Sequence, residues 1–345
     1  MADEAEVLFE RRGAIGLITL NRPKALNALT HAMCLKMKPQ LDAWASDADV
    51  KSVVIRGEGE RAFCAGGDIR ALYDSGKAGT PYALEFYRDE YILDATIKHF
   101  PKPYIALIHG IVMGGGVGVS VHGSHRVAGE AAMFAMPETG IGLFPDVGGS
   151  YFLPRCPGQI GMYLALTGAR LRTADTLYAG VATHFVPTAK WENLIGQLAD
   201  GASPDEALKP LSENVPGDFL NEHRAVIDRV FGGNSVEEIL AALDSEHTDW
   251  AKDTALTIRA KSPTSLKIAF RQIREGAKLE FNACMRMEFR MVSRIIAGHD
   301  FYEGVRATII DKDGAPKWKP AGLGKVSGAD VDAYFAPLNN KELPL

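Results

Sequence analysis

His109-Gly110-Ile111-Val112-Met113-Gly114-Gly115-Gly116-Val117-Gly118 follows Tyr104 to Ile108, an apolar run that reads as a buried strand. Three successive glycines are costly inside a helix, so this stretch must need close backbone approach, either for tight helix–sheet packing or for a ligand. His109, at the strand end, is either a core histidine or a chemical group. Working outward, Glu6 to Phe9 and Ala14 to Leu20 read as strands split by a turn at Arg11-Arg12-Gly13, and Asn21-Arg22-Pro23 ends the second. Thr30 is a plausible N-cap for a helix carrying Met33, Leu35, Met37, Leu41 and Trp44 on its apolar positions. Val53 to Ile55, His125 to Val127 and Met133 to Ala135 are further strands, with Gly114 to Val121 a glycine-rich helix start between them. Strands alternating with helices predict an α/β architecture.

After about residue 203 the strand signals give way to helix signals. Ser203-Pro204-Asp205-Glu206 and Ser235-Val236-Glu237-Glu238 read as capped helix starts, the second as a capping box. A helix over Glu280 to Ile296 spaces Phe281, Cys284, Met285, Phe289, Val292 and Ile296 at three and four, and its methionines suit core packing or an adaptable lid. The predicted organisation is an active-site core over residues 1–200 and a mainly helical region over residues 201–345.

Composition narrows the function classes. With 46% hydrophobic and 23% charged residues in 345, the chain is neither disordered nor fibrous and is long enough to bury a sizeable core. A net charge of -5 and a pI of about 6.0 lack the electropositive footprint of nucleic-acid binding. Cys34, Cys64, Cys156 and Cys284 are too scattered for a disulfide framework or a zinc site, so reduced thiols are expected. The acidic start Met1-Ala2-Asp3-Glu4-Ala5-Glu6 carries no apolar signal core, which predicts a cytoplasmic protein. His109, the glycines and Ser120 break the Tyr104 to Val121 run, so no membrane span is expected.

The Walker, HExxH and GxSxG templates are absent. Two further glycine-rich segments remain. Ala62-Phe63-Cys64-Ala65-Gly66-Gly67-Asp68-Ile69-Arg70 turns from a strand into a helix, and its glycines leave backbone N–H groups free to face a cleft and hold an oxyanion. Asp68 suits an N-cap there better than direct chemistry, and Cys64 a small core residue better than a nucleophile. Met136-Pro137-Glu138-Thr139-Gly140-Ile141-Gly142-Leu143-Phe144-Pro145-Asp146-Val147-Gly148-Gly149 offers two carboxylates among apolar residues that would raise a carboxyl pKa, so acid and base roles could be divided between them. Ordinary solvated acids on a surface loop are the alternative.

These segments, with Asn21-Arg22-Pro23-Lys24-Ala25-Leu26-Asn27-Ala28-Leu29, resemble the crotonase superfamily over about residues 7–190. Phe144-Pro145-Asp146-Val147-Gly148-Gly149, Asp300-Phe301-Tyr302-Glu303-Gly304-Val305-Arg306 and Lys317-Trp318-Lys319-Pro320 are similar to its 3-hydroxyisobutyryl-CoA hydrolase branch, a thioester hydrolase of valine degradation. The resemblance implies a ββα spiral core with two near-perpendicular sheets and a C-terminal helical region. It implies an oxyanion hole from the N–H groups of Gly67 and Gly115, catalytic carboxylates at Glu138 and Asp146, and substrate contacts at Glu90, Gly114 and Phe144. Coenzyme A, present as part of the substrate, would meet Arg22, Lys24, Leu26, Cys64, Ala65, Asp68 and Ile69. No metal and no further cofactor are implied, and the family forms homo-oligomers of several sizes. Similar hydratases carry a glutamate two residues after the triple glycine, where this chain has Gly118, so a two-glutamate hydration is disfavoured. An enoyl-CoA isomerase or hydratase, and a noncatalytic acyl-CoA-binding protein, are the competing readings.

Overall fold

A computed structural model describes residues 5–216 and 219–345. Its ten strands are β1 (Val7–Arg12), β2 (Ile15–Leu20), β3 (Ser52–Gly57), β4 (Ala62–Cys64), β5 (Tyr104–Ile108), β6 (Ile111–Met113), β7 (His125–Ala128), β8 (Met133–Ala135), β9 (Leu171–Arg172) and β10 (His184–Phe185). They form a six-stranded sheet, β1-β2-β3-β5-β7-β10, and a four-stranded sheet, β4-β6-β8-β9. From β3 to β8, odd strands join the first sheet and even strands the second, so each pass of the chain adds one strand to both. β2, β3, β5 and β7 are parallel neighbours. Burial on both faces of that sheet explains the continuous apolar runs by which the sequence marks these strands.

Alternation along the strands sets the core. Ile15 and Leu17, Val54, Ile105 and Leu107, and Val127 pack with Trp191, Leu194, Ile195 and Leu198 of the helix Trp191–Ala199. On β2 a side chain at Gly16 would run into the Trp44 ring of helix α1 (His31–Ser46), which is why glycine stands there. Thr30 caps α1 by accepting from the Met33 N–H. Met33, Met37, Leu41 and Trp44 are its buried face, whereas Leu35, also expected there, is 54% exposed because it falls off the four-residue spacing.

The local expectations are met with adjustments. Arg11 and Arg12 belong to β1, and the turn is made at Gly13, whose φ of 56° suits glycine. β9 and β10, two residues each, are too short to leave a periodic signal. Ser203 and Glu206 form the reciprocal capping box, while Glu238, three residues after the Ser235 cap, reaches past it to the Asn234 N–H. The methionines of the helix Phe281–Ile295 are core residues: Met285, Met287 and Met291 are buried.

By packing, the chain divides into two compact units interleaved along the sequence. The first comprises Met1–Asp68, Ile92–Phe134 and Arg170–Asn221, and carries the sheets. The second comprises Ile69–Tyr91, Ala135–Ala169 and Glu222–Leu345 and is mainly helical. The expected boundary near residue 200 follows the last strand, Phe185, rather than this division. Among the described residues no helix is long and apolar enough to cross a membrane.

Candidate active site

In the first unit two glycine turns lie side by side. After β4, Gly66 takes φ 117°, and a side chain there would touch the Met113 carbonyl and Gly114. Gly114, at φ 45°, leads into helix α4 (Gly115–Val121). A side chain on Gly116 would lie 2.2 Å from the Cys64 carbonyl oxygen, so close packing accounts for this glycine of the triplet.

The chain at Leu29 bridges Gly67 as a parallel strand would: the Leu29 N–H donates to Gly66 at 2.8 Å and the Asp68 N–H to Leu29 at 2.8 Å. In that pattern the N–H of Gly67 itself points to the opposite side. Gly115, as the first residue of α4, has an N–H with no intrahelical acceptor. Neither the strand-like bridge nor the helix start supplies an acceptor for these two N–H groups.

The expected coenzyme A residues fall around these turns in several ways. The Ala65 N–H donates to Leu26, whose φ of 52° is left-handed. Arg22 is a structural clamp: its guanidinium meets Glu6 and Asp68, each at 3.1 Å, and donates to the Ala28 carbonyl. Asp68 is accordingly an ion-pair partner. Lys24 is exposed and Cys64 is a buried thiol, while Ile69 opens helix α2 (Ile69–Ala78) in the second unit. His109 is buried edge-on to Trp191, and burial lowers its pKa.

The second unit gathers the acids. Glu138 opens a short 3-10 turn, Glu138–Ile141, and is buried, with Oε2 meeting no hydrogen-bond partner. Burial and then the negative charge of Asp146 hold its carboxyl well above the usual range, while the Lys261 ammonium pulls the other way. Lys261 is brought there by the segment after Arg259, where the Ser262 N–H donates to Thr139.

Asp146 is buried and pushed up to about 7 by burial, against a 2.9 Å hydrogen bond from the Tyr91 hydroxyl. Glu90 lies one residue before Tyr91 on helix α3 (Tyr82–Lys98), fully buried and raised well above its ordinary value by burial, then by Asp146 and Glu288. Phe144 is wholly buried between the two acids in sequence.

Three supporting residues escaped sequence reasoning. Glu288, in the helix Phe281–Ile295, accepts from the N–H groups of Gly148 at 2.8 Å and Ser150 at 2.9 Å. It thereby holds the turn after Asp146, where Val147 and Gly148 are both left-handed at φ 49° and 87°. Gln272 donates from the helix Pro263–Gly276 to the Pro145 carbonyl and to the Ser150 hydroxyl. Lys261 is the third. Asp146, pushed up to about 7, can take and return a proton at physiological pH.

The profile described as enoyl-CoA hydratase/isomerase matches residues 15–335. The chain belongs to this family. A Danio rerio protein named 3-hydroxyisobutyryl-CoA hydrolase, mitochondrial, is 52% identical, the match covering 99% of this chain and 92% of that one. A solved carnitinyl-CoA dehydratase from Mycobacterium thermoresistibile superimposes with a TM-score of 0.94 at 43% identity, over 99% of this chain and 98% of its own. A Rhodobacter sphaeroides enoyl-CoA hydratase gives 0.93 at 40%, covering 99% and 100%. The α/β crotonase fold is therefore as the sequence led us to expect. The Danio rerio relative is named mitochondrial, which gives the cytoplasmic expectation no support.

Proposed function

We propose that this chain hydrolyses short 3-hydroxyacyl-CoA thioesters, with 3-hydroxyisobutyryl-CoA as the preferred substrate. The observation that carries this reading is the buried pair Glu138 and Asp146, both held protonated to unusually high pH on one tightly braced loop. In this reading the N–H groups of Gly67 and Gly115 receive the thioester oxygen as it becomes an oxyanion, and fixed donors of that kind typically contribute about 10²- to 10³-fold each. Once ionised, Glu138 either attacks the carbonyl carbon, giving a mixed anhydride that water then cleaves and releasing the CoA thiolate, or takes a proton from the attacking water. Asp146 orients that water or passes the proton to the leaving sulfur. The net change is one water consumed, one C–S bond broken, and a carboxylic acid and free CoA formed.

Relatives named hydratase or dehydratase share the fold at 43% and 40% identity, which keeps hydration in view. Gly118, whose lack of a side chain removes one proton-transferring group, favours hydrolysis. The test follows free thiol from 3-hydroxyisobutyryl-CoA with a thiol reagent, and absorbance loss from crotonyl-CoA in parallel. Thiol release without absorbance change is the expected result. No thiol above background at micromolar enzyme overturns the reading, and rapid loss of crotonyl absorbance moves it to the hydratases.

A further inference from the structure

Among the described residues of the second unit, the buried polar atoms that meet no hydrogen-bond partner include the Tyr87 hydroxyl, Glu90 Oε1 and Glu138 Oε2, with Thr139 Oγ1 and Gln272 Oε1 on the segments that carry and brace the acids. Buried polar groups are nearly always satisfied, so a cluster of orphans marks a place for a ligand's own polar atoms. Glu138 already has such a role in the hydrolytic reading, and Glu90 is expected to meet substrate. Of the first three, Tyr87 is the group without an assignment.

Its placement follows from helix geometry. Tyr87, Glu90 and Tyr91 stand three and four apart on α3 and so share one face. The rings of Tyr87 and Tyr91 are 6.0 Å apart, and the Tyr91 hydroxyl ends on Asp146. Tyr87 is buried, and the charges of Asp146, Glu90 and Glu138 all reach its phenol. Burial first, and those charges next, keep the phenol protonated, so it is a permanent donor.

We propose that Tyr87 is a specificity-determining residue that, together with Glu90, reads the 3-hydroxyl of the acyl group: Tyr87 donates to the hydroxyl oxygen and the hydroxyl hydrogen goes to Glu90 Oε1. A hydroxyl is the small group that both accepts and donates, so it satisfies the two orphans at once. A carboxyl oxygen accepts whether or not Glu90 holds its proton, so the pairing survives titration of that residue. An unsubstituted acyl chain leaves both atoms unmet, and sites built to bond a hydroxyl reject analogues lacking it by up to about 10⁴-fold or more. This inference rests on the hydrolase reading.

The experiment compares Tyr87→Phe with the parent on 3-hydroxyisobutyryl-CoA and isobutyryl-CoA, together with their melting temperatures. Expected are a parent preference for the hydroxy ester of at least about 10²-fold and, in the variant, a preference at least about tenfold smaller, through a lower kcat/KM on the hydroxy ester. Because the lost hydroxyl has no partner in the folded chain, Tm should hold or rise, whereas a merely structural tyrosine would lower it and depress both substrates alike. A variant whose substrate ratio matches the parent's overturns the role of Tyr87 and leaves the hydrolase reading standing. A parent without preference for the hydroxy ester overturns it even if the variant does not fold. A parent that releases CoA from neither ester overturns both readings.

Discussion

Replacing Glu288 with Gln isolates the energetic consequence of keeping an acid in the core of the second unit. The Glu288 carboxyl is fully buried, and burial pushes it up to about 8 from an ordinary 4.5, against hydrogen bonds from Gly148 and Ser150. A raised folded-state pKa means the folded chain holds this proton more tightly than the unfolded one. The stabilisation is complete below about pH 4.5 and is lost as pH rises through about 8. At about 1.36 kcal/mol per unit, a rise of about 3.5 units, from 4.5 to about 8, withdraws on the order of 4–5 kcal/mol. Gln has the same size and cannot ionise. Its one oxygen accepts from one of the two N–H groups, and its NH₂ faces the other, leaving a buried donor unmet at about 1–3 kcal/mol. Glu288→Gln should therefore be the less stable protein near pH 5 and the more stable one near pH 9. Urea unfolding at fixed pH across that range gives the two curves, and the other buried acids, present in both proteins, largely cancel in the difference. Parallel curves would refute the reasoning.

Further outcomes are expected from the same cluster. Glu138→Gln should lower kcat by at least about 10²-fold, the lower range for removing general acid–base help, and unchanged thiol release would withdraw the catalytic assignment. Tyr91→Phe removes the bond that restrains the Asp146 carboxyl, so that carboxyl should rise above about 7 and the acid limb of kcat/KM should shift to higher pH. A pH profile superimposable on the parent's would show that Asp146 does not control that limb. Gly116→Ala places a methyl 2.2 Å from a backbone oxygen, and overpacking of that kind costs about 1–3 kcal/mol, read as a lower Tm. An unaltered Tm would mean the turns are less tightly joined than their contacts imply.

The strands were legible because burial on both faces leaves little choice of residue. Tyr104–Ile108 and Met133–Ala135 fall at the limits their apolar runs and flanking residues predict. Gly66, Gly114 and Gly116 were legible for a related reason, since at each a side chain would meet backbone or the chain turns left-handed. The ion pairs of Arg22 were not legible, because a basic residue on a loop carries no mark of its partners; Glu6 and Asp68 lie 16 and 46 residues away. The long-range supports of the acids are hidden in the same way. Gly148 and Glu288 are 140 residues apart, and nothing local to either names the other.

Glu288 nevertheless left a trace. Phe281, Cys284, Met285, Phe289 and Val292 recur at three and four along their helix, and Glu288 falls on the same stripe, three after Met285 and four before Val292. An acid on a buried stripe is expensive unless something answers it, so its presence predicts backbone or side-chain donors aimed at that point. The donors here are the two N–H groups that follow Asp146, in a turn whose left-handed Val147 a β-branched residue would otherwise resist. The same carboxyl thus compensates a strained turn, fixes the acid carried by that turn, and adds negative charge that keeps Glu90 protonated to higher pH. Reading charged letters at apolar positions, as well as the apolar letters themselves, would have led from the helix to the site.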